Sequence, residues 1–203
     1  MSDLRPTDAG EVSDLRRAME KKRTRQINDT KQRIRKALLE MLRAEEINRI
    51  SIRGLCQKAG INRTTFYNHY GSQYDVLKDM QDSYLADITA ALSHVHPSDQ
   101  AAVHRQVELV LKYMEDHLEL SRLLLDSSPS SGFAERLLAI PGINVLLEHS
   151  LPSGMDRNLR EAVVSFAVSG SWKMLSEWIH RDERIPAEQE AQLILMLAGR
   201  VCH

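Results

Sequence analysis

Cysteine, proline, glycine and aromatic side chains are all scarce in this chain of 203 residues. The two cysteines, Cys56 and Cys202, stand far apart and fit neither a disulfide scaffold nor a zinc framework. Six prolines and nine glycines supply little of the turn chemistry an all-β fold needs, so the expected fold class is all-α. No run approaches the roughly 18 apolar residues of a membrane-spanning helix. Met1 to Gly10 is polar and holds no apolar segment of the signal-peptide kind. These absences predict a soluble, cytoplasmic protein without membrane contact. Signatures of chemistry are missing as well, with no nucleophile motif and no Gly-rich phosphate loop. His94, His96, His104 and His117 do not share ligand spacing on one helical face, and no acid–Cys cluster accompanies them. No catalytic residue, metal site or cofactor is expected.

What the chain does have is charge, unevenly placed. Residues 1–71 hold 16 Lys+Arg against 9 Asp+Glu, and residues 72–203 hold 11 against 19. The net charge of −1 therefore conceals a basic N-terminal third and an acidic remainder. That is the footprint of a nucleic-acid module joined to something that is not one. The apolar fraction of 42% suffices for a packed core.

The stretch from Ile50 to Tyr74 organises the rest. Ser51 is a natural N-cap, and Ile52, Leu55, Cys56 and Ala59 then fall at i, i+3, i+4 and i+7, one apolar face of a short helix. Cys56 on that face reads as a small buried hydrophobe. Gly60 can take the left-handed conformation of a C-terminal cap. Asn62 is a second N-cap, opening a helix whose strongly apolar members are Phe66 and Tyr70. Two short helices around a glycine-containing turn make a helix-turn-helix. With Phe66 and Tyr70 inward, Arg63, Thr64, Thr65, Tyr67, Asn68 and His69 face outward or sideways, a dense polar set suited to base edges and phosphates. A helical corner with a solvated polar outside is the plainer reading.

Thr65-Phe66-Tyr67-Asn68-His69-Tyr70, preceded by Ala59-Gly60-Ile61-Asn62-Arg63, resembles the DNA-binding domain of the tetracycline-repressor (TetR) family of bacterial regulators. The resemblance runs over roughly Thr30 to Met80. It implies that Arg63, Thr64 and Asn68 lie over base edges, and that Thr65, Tyr67 and His69 meet phosphates with Ser51 and Arg53 from the preceding helix. Gln73 stands where the family usually has a phosphate-binding lysine. The resemblance further implies a transcriptional regulator, most often a repressor, that binds a palindromic operator in double-stranded DNA as a homodimer. A small-molecule effector would bind the C-terminal domain and shift the spacing of the two reading heads. The sequence Tyr74-Asp75-Val76-Leu77 is also similar to a branch related to dihydroxyacetone-kinase regulators. The departure at Gln73 keeps a second reading open, a coregulator that uses the same fold to act through a protein partner.

Three segments follow. Residues 1–29 lack an apolar period and carry Arg16-Arg17 and Lys21-Lys22-Arg23-Thr24-Arg25. They predict a basic, partly mobile arm that is either a solvated tail or a strip that lies on phosphates or enters a minor groove. Residues 30–75 are the helix-turn-helix domain, starting with a helix over Thr30–Glu46. Ser72, with Asp75 three residues on, caps a fourth helix whose N-terminus offers free N–H groups as a phosphate site. Residues 76–203 form the ligand-binding and dimerisation domain. Within it Pro97–Ser98 breaks the chain, 127–132 is a loop, and Pro141–His149 a short helix. Tyr84, His104, Tyr113, Met114, His117, Trp172 and Trp178 either line a pocket or fill the core. Asp156 to Arg181 is a helix apolar on two faces. Its Val164, Val168, Trp172, Leu175 and Ile179 face, with Leu193, Ile194, Leu197 and Val201 of the last helix, is either core within one subunit or, as the resemblance also implies, the interface of a homodimer.

Overall fold

The first element follows from propensity alone. Between Asp8 and Leu42 there is no proline and one glycine, and the stretch is filled with Ala, Glu, Lys, Arg, Gln, Leu and Met, all strong helix formers. It folds as one continuous helix, α1 (Asp8–Leu42). The separate arm expected over 1–29 is thereby corrected: from Asp8 onward it is the N-terminal part of α1. The computed structural model describes residues 8–92, 100–126, 133–138 and 155–201, and every regular element among them is helical. The expected break at Pro97–Ser98, the loop at 127–132 and the helix over Pro141–His149 lie outside the described residues, as do His94, His96 and Cys202.

The chain divides into two compact units, Met1–Leu77 and Lys78–His203. In the first, α1 buries Ile34, Ala37 and Leu38 and packs on α2 (Ile52–Ala59), which contributes Leu55, Cys56 and Ala59. Ser51 caps α2, its hydroxyl accepting from the Gly54 N–H at 3.1 Å. Gly60 ends it at φ 65°, with Ile61 N–H closing onto the Cys56 carbonyl at 3.0 Å. A helix of eight residues leaves its last carbonyls without intrahelical partners. Arg33 of α1 supplies one, donating to the carbonyls of Ala59 at 2.7 Å and Gly60 at 2.6 Å. Lys58 and Glu40 add an ion pair at 3.0 Å between α2 and α1. The hydrogen bond from Lys58 and its charge hold the Glu40 carboxyl below its ordinary range. Next come α3 (Arg63–Tyr67), capped by Asn62 with Thr65 N–H at 2.7 Å, and α4 (Gln73–Leu92). Asn68 is the C-cap of α3, so Asn68 and His69 sit in the turn that follows the helix.

The second unit takes α4 onward and adds α5 (Gln100–Asp116), α6 (Leu118–Asp126), α7 (Phe133–Leu138), α8 (Arg157–His180) and α9 (Ala187–Val201). The division between units falls within α4. Helix α9 packs along α5 and α8, and α6 and α7 lie on α8. Buried contributions come from Tyr84, Ile88, Leu111, Met114, Leu124, Trp178, Ile179 and Ala191. Polar groups inside are paired in a chain. The Tyr84 hydroxyl meets Ser121 Oγ at 2.6 Å, and Ser121 donates to the Met114 carbonyl at 2.9 Å. Arg122 closes the end of α8 by donating to the carbonyls of Ile179 and Arg181, and Trp178 Nε1 donates to the Ile185 carbonyl at 2.8 Å.

Burial divides the residues expected at the interface on α8 and α9. Leu175, Ile179 and Ile194 are buried inside the subunit, and Val164 and Val168 pack around Ala167. The apolar side chains left outside are Leu159 at 54% exposure and Phe166 at 66% on α8, with Leu193, Met196 and Leu197 on α9. Helix α8 has apolar residues all round, and packing against α6 and α9 takes the face on which Leu175 and Ile179 lie. Trp172 is half-buried, and the Val201 side chain lies outside the described residues.

Gly60→Ala tests the α2 ending. A Cβ there would sit 2.8 Å from Arg33 Nη2 and hold a left-handed φ, costing about 1–2 kcal/mol for the conformation alone. A lowered denaturation midpoint is expected; an unchanged one would mean the turn relaxes freely.

Candidate nucleic-acid interface

Five residues of helix cannot stand alone in water, so α3 depends on what holds it. Phe66 is fully buried and Tyr70 nearly so, their rings 6.0 Å apart. Lys31 of α1 lies over the Tyr70 ring at 5.3 Å. With that side anchored, Arg63, Thr64, Tyr67 and Asn68 are exposed, and Thr65 and His69 are half-buried. Arg63 and Tyr67, one turn apart, meet directly. The guanidinium donates to the phenol oxygen at 3.4 Å and lies 5.9 Å from the ring, and that hydrogen bond raises the Arg63 pKa further. Tyr67 is itself held edge-on against Phe66, with centroids 5.6 Å apart. The outcome is a short rigid ridge presenting a forked cation, an amide and hydroxyls, the groups that pair with base edges and phosphates. Behind it, burial pushes the Cys56 thiol up against the opposing pull of Arg63, so Cys56 is an inert part of the core.

Ser51 and Arg53 are exposed at the start of α2, and the Ser51 hydroxyl is engaged as the cap. Gln73 is half-buried and turns its amide toward the Ile47 carbonyl at 3.5 Å, tying the start of α4 to the 3-10 turn Ile47–Arg49. The free N–H groups expected at the α4 N-terminus are not all free. Asp75 Oδ2 accepts from Gly71 N–H at 2.9 Å and Ser72 N–H at 3.0 Å, and Ser72 Oγ accepts from Asp75 N–H at 3.3 Å. A carboxylate thus already faces the backbone N–H groups that lead into α4. The Ser72–Asp75 spacing signalled this capping box, but the preceding glycine's part in it carries no side-chain signal. Tyr74 is exposed beside it on the first turn of α4.

In the second unit, Tyr84, Tyr113 and His117 form an aromatic run. Tyr84 meets Tyr113 edge-on at 5.1 Å, and Tyr113 stacks on His117 at 4.3 Å. Phe133 adjoins Tyr84 at 6.1 Å, and Met114 is fully buried. Burial first, and then the Asp87 carboxylate that accepts its hydroxyl, push the Tyr113 phenol up to about 12. His104 and Trp172 are half-buried, and Trp178 is a fully buried core residue with its indole N–H satisfied. No described helix is long and apolar enough to cross a membrane.

A helix-turn-helix unit followed by a helical second unit defines a class of architecture, and solved structures share it. The TetR transcriptional regulator from Streptococcus agalactiae 2603V matches with a TM-score of 0.67 at 21% identity, over 89% of this chain and 98% of that one. The dihydroxyacetone kinase operon activator DhaS gives 0.54 at 17% identity, over 85% and 96%. The TetR-family regulator PfmR from Thermus thermophilus gives 0.51 at 22%, over 82% and 97%. No protein-family model and no curated protein matches the sequence. At these identities the likeness is one of fold, and the fold is the all-α fold of TetR-family transcriptional regulators.

Asp75→Asn isolates the carboxylate at α4. Loss of its charge from a helix N-terminus should cost about 0.3–1 kcal/mol of stability. Binding to duplex DNA at low salt, followed by fluorescence anisotropy, should tighten; weaker binding would show that the carboxylate supports the interface.

Proposed function

We propose that this chain is a sequence-specific, DNA-binding transcriptional regulator of the TetR type, acting as a repressor in the bacterial cytoplasm. The observation that carries the reading is the α3 ridge. Its inward side is locked by Phe66 and Tyr70, and its outward side is polar and exposed at Arg63, Thr64, Tyr67 and Asn68. Arg63 offers a bidentate contact to guanine and Asn68 one to adenine. Thr65, Tyr67, His69, Ser51 and Arg53 serve the backbone, and Gln73 serves it less, because its amide faces Ile47. The basic balance of residues 1–71 suits a polyanion.

One ridge of this length reads few bases, and a two-fold dimer reads a palindrome. Leu159, Val163, Phe166 and Gly170 fall at i, i+4, i+7 and i+11 on α8, with Leu193, Met196 and Leu197 on α9. A Cβ at Gly170 would meet nothing within 4 Å. These residues form the self-association face of a homodimer. An effector binding in the second unit shifts the spacing of the reading heads. Part-exposed Tyr113 and exposed His117, stacked together, are where its binding would register first. The coregulator reading keeps one specific support, the Asp75 carboxylate and the inward Gln73 at the place where a phosphate would sit.

Anisotropy against a duplex selected from a random pool tests the reading directly. Arg63→Ala should cost about 1–3 kcal/mol on the selected site and relax one base position. Equal losses on selected and random DNA, or no selected site at all, would transfer the function to a protein partner. Phe166→Asp should convert a dimeric mass in light scattering to a monomeric one with helicity retained; a monomeric wild-type chain would refute the dimer.

A further inference from the structure

The basic cluster of the N-terminal region is left unused by the reading above, and its form is unusual. Residues 16–26 are exposed on every side, yet they belong to the same helix whose later turns form the core of the first unit. A helix polar all round gains nothing from burial. Its direction, however, is fixed from below. Ile34, Ala37 and Leu38 are buried against the unit, Arg33 is bonded to the α2–α3 turn, and Lys31 lies over Tyr70 at the α3–α4 corner. Beyond half-buried Thr30 and Ile27, residues 16–26 stand exposed on the N-terminal side of that corner. At 1.5 Å per residue, Arg25 stands about 12 Å along the axis from Arg33, and Arg16 about 25 Å.

The overhang is cationic around its circumference. Arg17, Lys21 and Arg25 stand at i, i+4 and i+8 on one side. Arg16 and Arg23 stand on the line that continues through Thr30 to buried Ile34, and Lys22 lies between the two sides. From 16 to 26 the one acid is Glu20. Arg17 meets Asp14 at 4.0 Å with both side chains about four-fifths exposed, a pair that neutralises little in water.

We propose that the N-terminal part of α1 is a pre-ordered basic rod that lies along DNA phosphates outside the stretch read by α3, lengthening the contacted duplex at each end. The proposal rests on the reading of the first unit as DNA-binding. Duplex DNA is the occupant because the rod is continuous with the reading unit and its charge complements a polyanion. Between residues 16 and 26 it offers no apolar stripe for a protein groove, Met19 being the one large apolar side chain in that span. A helix that is already formed adds phosphate contacts without the ordering cost a disordered arm meets on binding. The exposed stretch from 16 to 26 spans about 15 Å, about four base pairs at 3.4 Å each.

The test compares the full chain with one in which all six cations become glutamine (R16Q, R17Q, K21Q, K22Q, R23Q, R25Q). Glutamine is a strong helix former, so α1 keeps its helicity, which circular dichroism verifies. The probe is a duplex selected by the wild-type chain, with ten base pairs of flank on both sides. The measurements are hydroxyl-radical protection and the dependence of affinity on salt. The variant should lose the outermost protected base pairs at both ends. Its log–log salt slope should fall in magnitude by about 2 or more, at roughly 0.9 per phosphate contact. Its discrimination between selected and random duplex should persist. Retention of either the full protected length or the full salt slope overturns the rod. A wild-type chain that selects and protects no site overturns the DNA-binding reading itself, which is a distinguishable result.

Discussion

Two carbonyl oxygens at the end of an eight-residue helix govern the first unit. Ala59 and Gly60 have no donor within α2 to satisfy them, and one guanidinium, Arg33, serves both. Hydrogen bonds from a charged donor contribute roughly 1.5–3 kcal/mol each, a large share for a module this small. The left-handed Gly60 makes the approach possible, since any side chain there would meet Arg33 Nη2. From this joint the rest follows in order. The turn fixes where Asn62 can cap, the cap fixes the first turn of α3, and Phe66 and Tyr70 lock its rotation. The position of Arg63 is thus set by a residue thirty places earlier.

Positive charge is distributed unusually around this joint. At the start of α4 Asp75 accepts from the Gly71 and Ser72 N–H groups and the Gln73 amide turns to Ile47, while Lys31 of α1 lies over Tyr70. The cations stand at Arg53 and Arg63, and along the overhanging turns of α1. If the first unit binds DNA as proposed, its sequence-independent attraction comes from its periphery and its centre is left for recognition. Arg63 is held by Tyr67 before any contact is made, which limits the side-chain entropy lost on binding.

Features written in neighbouring residues were legible. Ser51, Gly60 and Asn62 act as the caps their side chains suit, and Phe66 and Tyr70 are buried as their spacing indicates. Features decided by competition were not. Apolar periodicity is blind to a helix sustained by propensity, so residues 1–29 read as an arm. On α8 two apolar faces were visible, but which one the subunit covers depends on α6 and α9, whose contributions are not local. Likewise Gln73 carries no sign that its amide turns inward, and Ser121 none that it bridges Tyr84 and Met114. Among the candidate site residues, exposure on α3 could be anticipated, whereas the Arg63–Tyr67 contact and the occupied α4 terminus emerged from three-dimensional placement.

The joint at Arg33 also separates two kinds of residue that share a short span of chain. Asn62, Phe66 and Tyr70 hold α3 in place, and Arg63, Thr64, Tyr67 and Asn68 face outward from it. Because the holding set is distinct from the outward set, Arg63, Thr64 and Asn68 can be exchanged with little loss of stability. The outward set is therefore free to vary while the frame beneath it, fixed by a guanidinium and a glycine, remains.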